Sequence, residues 1–451
     1  MSTREHAVVM GASMAGLLTA RVLASHFARV TIVERDTLPV EAEHRKGVPQ
    51  GRHAHGLLVS GARVLEQYFP GLTDEIVARG GLRGDVMADV IWCFGGRYMS
   101  RAPGNLAGVV AGRPLLEGAV RDRVRALSNI TVRDGVSIDS PVYDAATDRV
   151  TGVRIEGSPE PLAADLVVDC TGRGSQTPKW LKEWGFEPPF EERVDAPGAY
   201  VSRVYERHPA DLGGASGAIV GGEAPHDRRG AAMLAADRER WVVTLFGCLG
   251  DFPPADEAGW LEFARELAAP DIANVVSRAR PLGPLETYRF PGNQWRHFER
   301  LKAFPGGYLV IGDGICGFNP VYGQGMSVAA LEARSLDTCL SAGDDGLARR
   351  FFKAAAAPAK AAWTLAAGED LRFPDVAGKR DPGAGLINAY MDRLRAVASA
   401  DPVVCSRFFE VASLLRPAPS VFAPRIFARV MLGRRKATPR LPLPVRLTTA
   451  R

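Results

Sequence analysis

The sequence predicts an α/β chain in three parts: a Rossmann-like parallel unit, an inserted sheet that is mostly antiparallel, and a helical C-terminal region. Three observations carry this. Residues 6–33 read as strand, tight glycine turn, helix and strand, the size of one βαβ unit. Residues 176–299 alternate short apolar runs with turn residues, the pattern of an antiparallel sheet. From 343 onward the periodicity is helical, broken by prolines at 374, 382, 402, 417, 419 and 424. The predicted boundaries are 1–175 with 300–342, then 176–299, then 343–451.

Bulk properties agree with several packed units. A chain of 451 residues is too long for one simple core. A hydrophobic share of 46% with 24% charged residues is that of an ordinary globular protein. The six cysteines (93, 170, 248, 316, 339, 405) include no C-x-x-C pair and none at metal-ligand spacing from a histidine. No disulfide framework and no metal site are expected, and scattered thiols suit a reducing compartment. No secretory leader pattern opens the chain and no 18-residue apolar run occurs. The expected location is cytoplasmic.

The net charge is +5, yet residues 425–451 alone hold eight basic residues and no acid. The remainder is therefore about −3 (5 minus 8). The basic excess belongs to the tail, and no nucleic-acid-binding motif accompanies it.

In order along the chain, "HAVVM" (6–10) reads as a buried strand. Residues 14–26 carry Leu17, Leu18, Ala20, Val22 and Leu23 at helical spacing, and "RVTIV" (29–33) is the next strand. A Gly/Pro loop from 47 leads into a helix with Leu57, Leu58, Val64 and Leu65 on one face. Short strands follow within 86–111, an amphipathic helix over 113–127, and alternating strands over 130–170. The inserted part offers strands at 198–205, 217–222, 229–236 and 240–248 and a helix over 257–268. The parallel pattern returns with "GGYLVIGDG" at 306–314 and a helix after 325.

The chemistry-bearing stretch is "GASMAG", Gly11 to Gly16, almost G-x-G-x-x-G with Ser13 in the second glycine's place. Gly11 permits a sharp turn off the strand, and Gly16 lets the helix pack closely on the sheet. Free N–H groups at the helix start favour a diphosphate. Glu34, at the end of the next strand and 23 residues past Gly11, is placed to accept from ribose hydroxyls. Alone, this motif also suits a tight turn that binds nothing. The second motif is "IGDGICGFNPVYGQGMS", 311–327. Asp313 ends an apolar strand, and a helix beginning near Met326 again aims its N–H groups at an electron-rich partner. A ligand longer than a simple dinucleotide has use for both.

These motifs resemble FAD-dependent monooxygenases of the para-hydroxybenzoate hydroxylase fold, with a GR2-type FAD-binding domain. The set "ERD…RKGVPQGRHAH…GRPLLE…DCTGRGS…GDGICGFNPVYGQGMS" is most similar to bacterial flavin epoxidases of polyether biosynthesis, relatives in chemistry of squalene monooxygenase. The resemblance covers about residues 6–335. It implies FAD, held non-covalently, and O2 used through a flavin C4a-hydroperoxide to epoxidise an olefin in a large apolar natural-product precursor. It places Gly11, Ser13, Met14, Ala15 and Gly16 at the pyrophosphate, Glu34 at the adenosine ribose and Arg35 near the adenine. It brings Arg45 and Arg113 to the phosphates and Asp313 to the ribityl or pyrophosphate region. Gly325, Met326 and Ser327 would face the pyrimidine edge of the flavin. Arg52, His53 and His55 of "QGRHAH" are candidate catalytic or substrate-positioning residues, or else cap a helix as ordinary surface side chains.

Two departures qualify the reaction. Thr171 in "DCTGRGS" stands where the family's hydroxylases carry the acid of a D-G motif linked to pyridine nucleotide. Electrons would then come from NAD(P)H directly or through a separate flavin reductase. The W-x-W-x-I-P motif of flavin tryptophan halogenases is absent. Other readings are an aromatic-ring hydroxylase, a flavin-dependent reductase of prenyl-type double bonds, and a flavin-free lipid carrier of the Rab-GDI type. Residues 401–432 interleave apolar residues with arginines: a lid or membrane-surface segment beside the basic tail, or helices packed on the body.

Overall fold

The computed structural model describes residues 4–433. Its first sheet has five strands in the order Tyr308–Val310, Leu166–Asp169, His6–Met10, Arg29–Val33, Ile130–Arg133, all parallel. "HAVVM" is buried at every position, as a central parallel strand covered on both faces must be.

Twelve helices are described: α1 (Met14–Leu23), α2 (Val59–Tyr68), α3 (Leu72–Ala78), α4 (Arg113–Arg125), α5 (Thr177–Glu183), α6 (Glu257–Arg265), α7 (Asp271–Val276), α8 (Gly325–Ser341), α9 (Leu347–Asp370), α10 (Ala384–Ala398), α11 (Pro402–Ala412) and α12 (Pro424–Leu432). α1 packs on α4 and α8, and α8 on α2 and α9. Leu57 and Leu58 lie before α2 rather than in it. Leu58 is extended, and its N–H donates to the Ser327 hydroxyl at 3.1 Å, so the helix begins one residue later.

The second large sheet has seven strands in the order Glu286–Phe290, Gly198–Glu206, Arg240–Cys248, Arg229–Ala235, Gly217–Gly221, Val90–Phe94, Arg97–Tyr98. Its last two strands come from well before residue 176. Val90–Phe94 pairs parallel to Gly217–Gly221, while the other pairings are antiparallel. The alternation of "VIWCF" explains the placement. Ile91 and Cys93 enter the core beneath α6 and α7, whereas Trp92 and Phe94 turn to the C-terminal helices.

The prolines divide the C-terminal part as expected: α11 begins at Pro402, a 3-10 turn spans Ala418–Phe422, and α12 begins at Pro424. Pro358 sits inside α9, which continues through it. Phe409 of α11 rests on Trp92 with ring centroids 4.9 Å apart, so these helices pack on the inserted sheet. Among the described residues no helix is long and apolar enough to cross a membrane. Of the eight basic residues from 425 onward, Arg434, Arg435, Lys436, Arg440, Arg446 and Arg451 lie outside the described residues.

Candidate functional site

The glycine turn is built for close approach. Gly11 has φ +99°, and its N–H donates to the Val33 carbonyl at 2.8 Å. A Cβ on Gly16 would fall 1.9 Å from the Gly11 carbonyl oxygen, so only glycine lets α1 start this close to the strand. Ser13 is the N-cap of α1, yet its hydroxyl caps no helix N–H. It accepts from Arg113 Nη2 at 3.1 Å instead. The first turn of α1 is thereby left open, and Ser13, Met14 and Ala15 line a large cavity.

Beside this turn lies a buried ionic cluster. Glu34 accepts from the Ala12 N–H at 2.7 Å and the Asp36 N–H at 3.0 Å. Arg45 pairs with Glu34 (3.2 Å), Asp36 (3.1 Å) and Glu117 (2.8 Å). Arg113 forks onto Glu117 at 2.8 and 3.0 Å. Burial alone would raise the Glu117 carboxyl; the charges of Arg113 and Arg45 outweigh it and hold the group below its usual range. Arg45 Nη2 is buried with no hydrogen-bond partner among the described residues. Arg35 is exposed.

The second motif forms the next wall. Gly312, at φ +77°, donates its N–H to Glu332 Oε2 at 2.7 Å. Glu332 is fully buried, its Oε1 has no partner among the described residues, and burial pushes its carboxyl well above the usual range. Asp313 faces the cavity and is open to water there, although protein surrounds that space. Burial raises its pKa, opposed by Arg173 and Arg113. α8 starts at Gly325 without a side-chain cap, and Gly325 and Met326 line the cavity. Ser327 does not: it is fully buried and holds Leu58.

The histidine loop divides. Arg52 turns outward and pairs with Glu286 at 2.9 Å on the surface, away from the cavity. His53 and His55 line the cavity. His53 Nδ1 lies 2.7 Å from the Ser202 hydroxyl, which is 2.6 Å from that of Thr244; Thr244 accepts from the Ala54 N–H at 2.7 Å. His55 Nδ1 lies 2.8 Å from the His53 carbonyl and must donate to it, leaving Nε2 as an acceptor. Burial, aided by His44 and Arg52, lowers His53 to about 4. Burial, aided by Arg113, lowers His55 to about 3. Both rings are neutral at pH 7.

Sequence reasoning missed two features. Asp370, the last residue of α9, accepts from Asn293 Nδ2 at 2.6 Å and from the Tyr322 hydroxyl at 3.0 Å. The Tyr200 hydroxyl donates to Asn319 beside it. Burial raises Asp370 to about 6. An acid closing the alanine-rich "WTLAAGED" was the one faint signal. Arg173, two residues past Thr171, lies over the Phe290 ring at 5.0 Å; its Nη1 is buried with no hydrogen-bond partner among the described residues. Asp169, before it, is wholly buried and collects Thr171, Ser175 and Thr177.

All these walls belong to one cavity of about 700 Å³. It runs from Ser13 and Arg113 past Asp313 and His53 to an apolar end at Trp92, Phe408 and Phe409. Two relatives and two solved structures are informative. The chain is 33% identical over 434 residues to protein Rv3254 of Mycobacterium tuberculosis, covering 91% of this chain and 90% of that one. It is 26% identical over 377 residues to a kynurenine 3-monooxygenase of Salinispora tropica, covering 76% and 74%. The flavin-dependent brominase Bmp2 superposes with a TM-score of 0.65 at 11% identity, over 95% of this chain and 98% of that one. PqsL of Pseudomonas aeruginosa, a probable FAD-dependent monooxygenase, does so with 0.61 at 16% identity, over 82% and 98%. No family model matches the chain. The chain belongs to the family of the Mycobacterium tuberculosis protein Rv3254, and its architecture is that of the flavin-dependent monooxygenases.

Proposed function

We propose that this protein is an FAD-dependent monooxygenase that epoxidises an olefin in a large apolar molecule. The observation that carries the reading is the continuity of the cavity, from a diphosphate-type helix start to an aromatic, apolar chamber. The residues present fit FAD. The uncapped start of α1, the glycine contacts that leave no room for a Cβ, and the Arg113 guanidinium on the cavity wall together suit a pyrophosphate, with Arg45, whose Nη2 is partnerless among the described residues, buried behind them.

Ser13, Met14 and Ala15 would hold the pyrophosphate on the turn that Gly11 and Gly16 shape, with Arg45 and Arg113 as its cations. Glu34 and Arg35 would take the adenosine end, and Asp313 the ribityl chain. Gly325 and Met326 would offer N–H groups to the pyrimidine edge, with Ser327 bracing them through Leu58. Bound FAD supplies electron acceptance and activation of O2. The chain positions the substrate and excludes water: Trp92, Phe94, Phe408 and Phe409 wall the substrate end. His53 and His55, being neutral, offer hydrogen bonds without a competing charge. Electrons come from NAD(P)H, directly or through a separate flavin reductase.

A second reading, aromatic-ring hydroxylation, is favoured by Asp370. A carboxyl titrating near 6 on the cavity wall is matched to taking a proton from a phenol. The kynurenine 3-monooxygenase relative supports it by name.

The decisive experiment begins with colour. Purified protein should be yellow and release FAD on denaturation; a colourless protein that cannot be loaded ends both readings and favours a lipid carrier. NAD(P)H-dependent O2 uptake, with product one oxygen heavier, should follow. Oxirane or ring hydroxyl in that product decides between the two reactions, and a reduced double bond without added oxygen overturns both.

A further inference from the structure

We propose that the outer face of the C-terminal helices is a seat for an anionic lipid surface. Among the described residues nine large hydrophobic side chains are well exposed, and six of them gather here: Leu386, Ile387, Phe422, Phe427, Met431 and Leu432. Single exposed hydrophobics are ordinary; a cluster marks a binding surface. Tyr390 joins the set, its ring 4.6 Å from Phe422 and 5.7 Å from Phe427. On α12, Ile426 and Val430 point into the core, while Phe427 and Met431, one turn apart, point out. The helix therefore carries two apolar stripes, of which the fold uses one. Leu386 and Leu432 are 81% and 83% exposed, more than packing alone would leave.

Charge selects the occupant. Eight basic residues and no acid occupy 425–451, while the rest of the chain is about −3 (5 minus 8). A second copy docked through the same face would bring two such segments together, because a twofold interface meets itself. Arg429 is paired with Asp401 at 2.6 Å, but Arg434, Arg435 and Lys436 follow α12 closely in the sequence. Anionic headgroups supply the opposite charge, and an apolar helix face next to basic residues in the sequence is the pattern of a segment that lies in a bilayer interface.

The face also adjoins the cavity. Val421 lines the cavity, and its neighbour Phe422 is on the outer face. The 3-10 turn Ala418–Phe422 thus presents one side chain to the chamber and the next to the outer face, and along it we place the entry of an apolar substrate. That entry route rests on the oxygenation reading; the lipid contact does not.

Flotation of the full chain with vesicles tests it without turnover. Binding to phosphatidylcholine mixed with phosphatidylglycerol should exceed binding to phosphatidylcholine alone by about ten-fold and weaken in high salt. The triple substitution Phe427→Glu, Met431→Glu, Leu432→Glu should lower it about ten-fold while flavin content and melting temperature stay unchanged. Leu386→Glu, on a different helix, should lower it independently. The proposal is overturned if the wild-type chain does not float with the mixed vesicles, or if these variants float as well as it does. It is also overturned if light scattering shows a dimer that the triple variant dissolves, which gives the face to a second copy.

Discussion

Arg113 donates to the Ser13 hydroxyl at 3.1 Å while the same guanidinium forks onto Glu117. The serine that breaks the glycine motif is thus part of the cation's seat. Ser13→Gly removes one hydrogen bond and keeps the turn, so FAD should stay bound with affinity lowered by about ten-fold or less, as one such bond predicts. Ser13→Phe fills the open helix start and should expel it. Fluorescence of released flavin measures both. Normal binding by Ser13→Phe would place the pyrophosphate elsewhere.

Arg113 and Arg52 should behave differently although both lie in motifs that carry the family resemblance. Arg113→Met strips a buried partner from Glu117, and unfolding in urea should show a loss of about 3 kcal/mol together with weak flavin binding. Arg52→Ala removes an exposed ion pair and should change stability by less than about 1 kcal/mol with no change in flavin content. Loss of activity without loss of fold in Arg52→Ala would return it to the catalytic candidates.

Burial raises the Glu332 carboxyl well above its ordinary range, and its Oε2 accepts the Gly312 N–H. Glu332→Gln preserves that acceptor. Glu332→Ala orphans a buried N–H beside Asp313 and should cost about 1–3 kcal/mol. The folded pKa lies above the unfolded one, so this group's contribution is present below the unfolded carboxylate range and is lost as pH rises. Stability of the wild type should therefore fall with rising pH relative to Glu332→Gln. Parallel stability profiles for the two would show that the carboxyl is charged in the fold.

What could be read beforehand was what is local. The Gly11 turn, the strand before it and the helix after it sit within one βαβ unit, and the periodicities announce them. The Asp370 cluster draws Tyr200 and Asn293 from separate parts of the chain, and no local pattern marks either; Asn319 and Tyr322 lie in the second motif, but nothing in that motif points to the acid they gather around. The same holds for Val90–Phe94, which pairs with a strand more than a hundred residues away. Its alternation shows two apolar faces but not which sheet they serve. The resemblance sets the backbone of Gly325, Met326 and Ser327 at the flavin's pyrimidine edge, which says nothing of where the Ser327 side chain goes. Helical rotation carries the third residue to the opposite side, against α2.

His53 should make the fold acid-sensitive. Its folded value of about 4 lies below the ordinary 6.5. The unfolded chain therefore binds the extra proton between them, and stability is lost as pH falls from 6.5 towards 4. At about 1.4 kcal/mol per pH unit the effect is roughly 3 kcal/mol. His53→Gln, which cannot titrate, should flatten that part of a urea-midpoint profile. An unchanged profile would mean that the imidazole is not held neutral by its burial beside Ser202.

Asp370 runs the other way. Its folded value of about 6 exceeds the ordinary 3.8, so the folded chain holds the proton longer. Its contribution to stability is complete below about 4 and is lost as pH rises through 6, by roughly 3 kcal/mol in all. Asp370→Asn should abolish this slope and keep FAD bound, because the amide oxygen still accepts from Tyr322. On a phenolic substrate the wild-type rate should rise through pH 6 as the carboxylate forms, and in Asp370→Asn that rise should vanish with at least a ten-fold fall in kcat. On an olefin without an ionisable hydroxyl the same substitution should change kcat less than two-fold, since epoxidation asks no proton of the wall. One variant assayed on two substrate classes thus separates the two reactions. Equal damage to both would make Asp370 a structural brace for Tyr322 and Asn293 and remove it from the chemistry.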